Sequence, residues 1–315
     1  MKIVIMEPLG ITEDTLKTLT MLLKADGHEI VAYSERAKSD DELISRIQDA
    51  EVVILANQPL RKNVIEYCEK LKLIDIAFTG VDHVDIEPLK ARGVTICNAA
   101  GYATNAVAEL VFGLIIDLYR EITPYDAVVR NGGARIGAGN EIAGKTFGII
   151  GTGAIGLRTA SLAIACGCPV LTYSRSERKE GIKIGVDYVD LDTLLALSDI
   201  VSLHVPLTEA TEGLIGKREL SLMKENAVLI NTARGSVVDS YALADALQNG
   251  QIAGAGIDVF ETEPPIAADH PLLKAPHTIL TPHIAFATKE SLYQRAVIVF
   301  DNVRKWLEGH PQNIV

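Results

Sequence analysis

No stretch of this 315-residue chain reaches the roughly 18 consecutive apolar residues that a membrane-spanning helix needs, so no bilayer insertion is expected. Cysteine is scarce. Cys68, Cys97, Cys166 and Cys168 are too few and too scattered for a disulfide framework in a chain of this size. The spacing of Cys166 and Cys168 matches no zinc motif, so all four read as reduced, small apolar residues and no metal site is expected. Basic residues are in deficit, 30 against 41 acidic, and a formal charge of −11 offers little with which to displace counterions from phosphates. That excludes nucleic acid as a partner. The opening MKIVIMEP reads as a strand, with an acid and a proline too early for a secretory signal, so the expected compartment is the cytoplasm.

What remains is an ordinary globular composition, 48% hydrophobic and 23% charged, at a length that predicts about two domains. Short apolar runs alternate with helical patterns, the signature of an α/β protein with parallel sheets. Strands are expected at 2–6, 29–33, 51–55, 72–78 and 94–98, with helices between them at 13–25 and 40–49, for example. A long apolar helix follows at 110–119. The glycine-rich connection from Asn131 to Gly139 suits a boundary between domains. A second series of strands begins at 146–150 and continues at 169–173, 200–204, 227–231, 253–258 and 278–281. The helix at 289–308 carries an apolar stripe through Leu292, Ala296, Val299, Phe300, Val303 and Leu307, and is long enough to cross back towards the first domain.

The strand at 146–150 runs directly into Gly151-Thr152-Gly153-Ala154-Ile155-Gly156 and then a helix, the context that a dinucleotide-binding turn requires. Gly151 permits the tight turn, Gly153 lets backbone approach a pyrophosphate, and Gly156 allows close helix–strand packing. The pyrophosphate then meets free N–H groups at the helix N-terminus, those of Ala154 and Ile155 among them. An acid about 20 residues on ordinarily binds the ribose hydroxyls of NAD. Here Ser174 stands in that place, 23 residues after Gly151, and Arg175 and Arg178 follow. Without the carboxylate a 2′-phosphate is not repelled, and two arginines are at hand to neutralise it. NADP(H) is therefore expected ahead of NAD(H).

Arg234, Glu263 and His283 each follow a predicted strand at its carboxyl end, the edge where open α/β sheets bind ligands. Singly they have bland explanations, as a surface ion pair, a solvated loop acid and a packing histidine.

Seven segments, in chain order, change that balance: 80–85 (GVDHVD), 98–109 (NAAGYATNAVAE), 144–156 (GKTFGIIGTGAIG), 203–208 (LHVPLT), 229–238 (LINTARGSVV), 256–264 (GIDVFETEP) and 281–285 (TPHIA). Through them nearly the whole chain resembles the D-isomer-specific 2-hydroxyacid dehydrogenases. The resemblance implies an oxidoreductase in which Arg234 pairs with the substrate carboxylate and polarises the adjacent carbonyl. A forked guanidinium is suited to that task. His283 gives a proton to the 2-keto oxygen or removes it in oxidation, and Glu263 orients its imidazole and raises its pKa. Backbone amides at Thr79 and Gly80 hold the carboxylate. Asp258 binds the nicotinamide amide, while Thr104, Val205, Pro206 and Thr232 line the cofactor cleft. His83 and His204 read as structural or cleft-wall residues.

The same resemblance implies two doubly wound domains: a Rossmann nucleotide-binding domain at 100–286, inserted into a flavodoxin-like substrate-binding domain at 1–99 and 287–315. It also implies a homodimer formed through the nucleotide domain. Three departures bear on the substrate. The chain ends at Val315 without a regulatory domain of the kind some phosphoglycerate dehydrogenases carry. The loop Ala56-Asn57-Gln58-Pro59 has no arginine for a phosphate, and Gly132–Gly139 lacks the tryptophan that walls the pocket in many relatives. Glyoxylate, hydroxypyruvate, pyruvate and bulkier 2-keto acids all remain candidates. The alternative function is a dinucleotide sensor with little turnover, like the corepressors built on this fold.

Overall fold

The computed structural model describes residues 1–134, 137–262 and 265–315. It resolves into two compact units, one of Met1–Ala103 with Ala287–Val315 and one of Thr104–Phe286.

The first unit holds five parallel strands, β1 (Lys2–Ile5), β2 (Glu29–Ala32), β3 (Val52–Leu55), β4 (Leu73–Ile76) and β5 (Thr95–Asn98), in the order β2-β1-β3-β4-β5. Every residue of β3 and β4 is buried, which is why they read as unbroken apolar runs rather than as alternation. The helix Glu13–Ala25 starts where Thr12 accepts the Thr15 N–H, with Glu13 and Asp14 placed favourably in its first turn. The helix Lys289–Leu307 belongs to this unit and buries Ala296, Val299, Phe300 and Val303, while Leu292 and Leu307 of the expected stripe are half-buried. It also buries three polar residues that no apolar pattern reveals, Ser291, Arg295 and Asn302. Asn302 donates to Asp75 Oδ1 in β4 (3.1 Å) and to the Asn98 carbonyl (3.0 Å). Complete burial pushes the Asp75 carboxyl up to about 8. The last residues cover the outer edge of β5, through Asn98 N–H to Asn313 O (3.0 Å) and Val315 N–H to Ile96 O (2.9 Å).

The second unit holds seven parallel strands: β6 (Phe147–Ile150), β7 (Val170–Tyr173), β8 (Asp187–Tyr188), β9 (Ile200–Leu203), β10 (Val228–Asn231), β11 (Gly254–Ile257) and β12 (Thr278–Leu280). Their order is β12-β11-β10-β9-β6-β7-β8, so the direction of winding reverses between β6 and β9. The edge strand β8 has only two residues, too few to show a periodicity. The apolar helix starts earlier than expected and spans Thr104–Arg120, with Leu114 packed against Gly256 of β11.

One expectation is corrected. The glycine-rich stretch is not a boundary, since it lies inside the second unit. Asn140 N–H bonds the Tyr119 carbonyl at 2.8 Å, and a Cβ on Gly139 would stand 2.3 Å from that same oxygen. Glycine there serves close approach of two backbones rather than a hinge.

Candidate active site

The buried strand β6 leaves its sheet through Gly151, whose φ of +100° is one that L side chains rarely adopt. A Cβ there would also stand 2.5 Å from the His204 carbonyl oxygen. Gly153 is the N-cap of the helix Ala154–Ala165, and nothing lies within 4 Å of where its Cβ would be. Gly156 is needed for a contact different from the expected strand packing, because its Cβ would meet the Gly151 carbonyl oxygen at 1.9 Å. The turn is thus braced against its own helix and open above Gly153. The buried hydroxyls of Thr152 and Thr232 have no hydrogen-bond partner among the described residues. An open glycine cradle at a helix N-terminus, with unpartnered hydroxyls after β6 and β10, fits a dinucleotide.

Gly151 N–H donates to the Tyr173 carbonyl at 2.8 Å, which ties the turn to the end of β7 and sets Ser174 beside it. Ser174 is half-buried, and Arg175 and Arg178 are exposed. Neither guanidinium is in an ion pair among the described residues, while the Arg178 backbone N–H bonds the Tyr188 hydroxyl at 3.0 Å. Val205 lies against the turn and Pro206 follows it; the Pro206 carbonyl accepts from Thr211 Oγ1 at 2.6 Å. Thr104 opens the long helix, and its neighbour Asn105 accepts from Arg158 of the nucleotide helix at 2.9 Å. His204 Nε2 is 2.9 Å from the Ser202 hydroxyl, and burial pushes its pKa down to about 3. A neutral imidazole packed on the glycine turn is a wall residue.

The second cluster stands at the carboxyl edge of β10, β11 and β12. Asn231 pins the first turn, accepting from Ala233 N–H (3.0 Å) and donating to Arg234 O (2.9 Å). The half-buried Arg234 donates from Nη1 to the Ala233 carbonyl at 2.8 Å. A Cβ on Gly235 would fall 2.0 Å from the Phe260 carbonyl carbon, so glycine lets the turns after β10 and β11 touch. Glu261 accepts from Ser240 Oγ (2.5 Å) and pairs with His270 Nε2 (2.9 Å). Burial opposes its charge, but these bonds hold the carboxyl below its ordinary value. Glu263 lies outside the described residues. His283 has a φ of +53° and sits edge-on to Phe286, with ring centroids 5.5 Å apart. Asp258 is fully buried, and burial raises its pKa.

Within this unit, Arg234, Asp258 and His283 therefore follow three neighbouring strands. Thr79 and Gly80 belong to the first unit, past β4, where the exposed Thr79 gives its carbonyl to Asn98 Nδ2 at 2.9 Å. The His83 carbonyl accepts from Leu60 N–H at 3.1 Å, a loop-bracing contact. The Ser240–Glu261–His270 group and Thr281 escaped the sequence reading. Glu261 and Thr281 lay inside quoted motifs, whereas nothing in the sequence joins Ser240 to His270.

Residues 112–285 match the family model for the D-isomer specific 2-hydroxyacid dehydrogenase NAD binding domain. The glycerate dehydrogenase of Methylorubrum extorquens is 41% identical over 300 residues, covering 91% of this chain and 92% of that one. The glyoxylate reductase of Thermococcus litoralis is also 41% identical, over 285 residues, covering 87% and 86%. Among solved structures, an acyclic imino acid reductase (Bsp5) in complex with NADPH and D-Arg has a TM-score of 0.91, covers all of both chains and is 29% identical.

Proposed function

The chain belongs to the D-isomer-specific 2-hydroxyacid dehydrogenases, and on that premise we propose that it transfers a hydride between NADPH, in preference to NADH, and a small 2-keto acid. The nicotinamide supplies or accepts the hydride when bound. Every other task falls to side chains. Arg234 pairs with the substrate carboxylate and polarises the neighbouring carbonyl, with its turn held by Asn231. His283 gives the proton to the 2-keto oxygen or removes it in the reverse direction, and Glu263 orients its imidazole. The amides of Thr79 and Gly80 take the carboxylate, and Asp258 takes the nicotinamide amide. Thr104, Val205, Pro206 and Thr232 border the cofactor.

The observation that carries this reading is the placement of Arg234, Asp258 and His283 past three adjacent strands of the unit that holds the glycine turn. The relatives' names, glycerate dehydrogenase and glyoxylate reductase, support small substrates such as glyoxylate and hydroxypyruvate, and favour turnover over the sensor alternative. The arginines beside Ser174 support NADPH. Ile116 is exposed on one helix, and Ile122 and Val129 on the next, Ile122–Arg130, which buries no residue; this supports a homodimer through the nucleotide unit. Among the described residues no helix is long and apolar enough to cross a membrane, and all four cysteines are free, Cys166 being exposed. Both facts support a cytoplasmic enzyme.

The test is a panel of 2-keto acids assayed with NADPH and NADH in parallel, for the wild type and His283→Ala. The variant should bind NADPH normally and lose about 10²–10⁴-fold in kcat. Turnover above a tenth of wild type would defeat the proton-transfer assignment.

A further inference from the structure

His283 holds a left-handed backbone conformation without being a glycine, and such a conformation persists only where its surroundings over-determine it. Among the described residues Asp258 accepts four hydrogen bonds from this turn. Its Oδ1 accepts from Thr281 Oγ1 (2.5 Å) and Ile284 N–H (2.8 Å), and its Oδ2 accepts from Ala285 N–H (2.8 Å). Its backbone carbonyl accepts from His283 N–H at 2.8 Å. One residue at the end of β11 therefore grips the turn after β12 on both sides of the histidine. Thr281 N–H to Ile257 O (2.9 Å) keeps the two strand ends in register up to the point where the grip begins. Pro282 has no N–H to donate, and within the turn itself the Thr281 carbonyl shares the His283 N–H at 3.1 Å.

We infer that Asp258 and Thr281 form a positioning clamp that fixes the imidazole of His283 for proton transfer. A carboxylate suits the place because donors face both of its oxygens. An amide would turn an NH2 group towards one of those donors, leaving it unpaired and repelled. Thr281 carries the side-chain half of the clamp with a single hydroxyl. Phe286 limits the ring from its edge. This inference rests on His283 being the proton donor.

The experiment compares Thr281→Val, Thr281→Ser, Asp258→Asn and His283→Ala, together with the double variant Thr281→Val/His283→Ala. Steady-state kinetics, NADPH titration by fluorescence and thermal melting are recorded for each. Thr281→Val should lower kcat about tenfold while KM for the keto acid and the NADPH Kd stay within about twofold, and Thr281→Ser should restore most of the loss. Asp258→Asn should lose more. On the His283→Ala background, Thr281→Val should cost nothing further, since residues acting as a unit are non-additive. A lower melting temperature with unchanged kcat in Thr281→Val would overturn the clamp, as would an equal loss with and without the histidine. If His283→Ala itself keeps turnover, the proposed role of His283 fails, and the clamp fails with it.

Discussion

The two sheets reverse their winding direction in comparable places, yet their switch points are finished in opposite ways. In the first unit β1 and β3 flank the reversal, and two residues past β1 stands Glu7, only 2% exposed. Its Oε1 accepts the N–H groups of Ala56 (2.9 Å) and Gln58 (2.6 Å), and its Oε2 pairs with Arg36 Nε (2.7 Å). In the second unit the chain leaves β6 through Gly151-Thr152-Gly153, and among the described residues no side chain fills the space over Gly153. The loops and helix N-termini that follow parallel strands direct N–H groups at such a crevice. The first unit satisfies them with an anion of its own. The second leaves them for an anion from outside.

The sharpest way to break this contrast is to close the open turn. Gly156→Ala places a methyl 1.9 Å from a backbone oxygen that cannot rotate away, so NADPH affinity should fall at least about hundredfold, or ~2.7 kcal/mol. Affinity within tenfold of wild type in a fluorescence titration would show that the turn does not bind the coenzyme. Ser174→Asp with Arg175→Ala changes which anion the open turn accepts. The wild type should favour NADPH in kcat/KM by about tenfold, and the double variant should favour NADH by a similar factor. Unchanged ratios in paired titrations would leave the arginines as solvated bystanders.

The self-filled switch point should fail differently. Glu7→Ala strips the acceptor from two buried N–H groups and should cost about 2–4 kcal/mol in urea unfolding, with the NADPH Kd unaltered. A loss below about 0.5 kcal/mol would mean that the carboxylate is dispensable to its loop. A last test concerns Asp75, a fully buried acid within β4. It has one protein donor where Asp258 has three. Folded, Asp75 keeps its proton up to about pH 8, whereas the unfolded chain releases it near 3.8. Between those values the native state binds the extra proton. The stability contributed by this group is therefore greatest at acid pH and is lost as pH rises through that window. Asp75→Asn should flatten this slope, measured as melting temperature from pH 5 to pH 8. Identical slopes in both proteins would refute the buried-acid assignment.

Legibility followed the kind of signal each residue leaves. Buried parallel strands announce themselves as apolar runs, and eleven of the twelve were expected; β8 was lost because two edge residues carry no period. The glycine turn was legible because strand, glycines and helix are contiguous. Arg234 and His283 were placed by strand ends and by family resemblance. The glycine-rich stretch misled because glycine marks tight packing as well as freedom, and only three-dimensional neighbours tell the two apart. Glu7, Asp75, Asn302 and the Asp258–Thr281 contact were invisible because their partners lie 11 to 227 residues away. No local pattern encodes a hydrogen bond across that distance.

The helix Lys289–Leu307 has a consequence for how the protein is made. Its Asn302 ties down Asp75 and Asn98, and the residues after it seal the edge of β5. The first unit thus joins segments from both sides of residues 104–286, which are synthesised in between. At ribosomal speeds that interval lasts about 10–40 s, during which β1–β5 lack their closing helix and an uncovered sheet edge is available to other chains. The second unit, contiguous in sequence, emerges whole and can fold during the same interval. The segment 1–103 thus has the longest exposure to aggregation before its closing helix arrives.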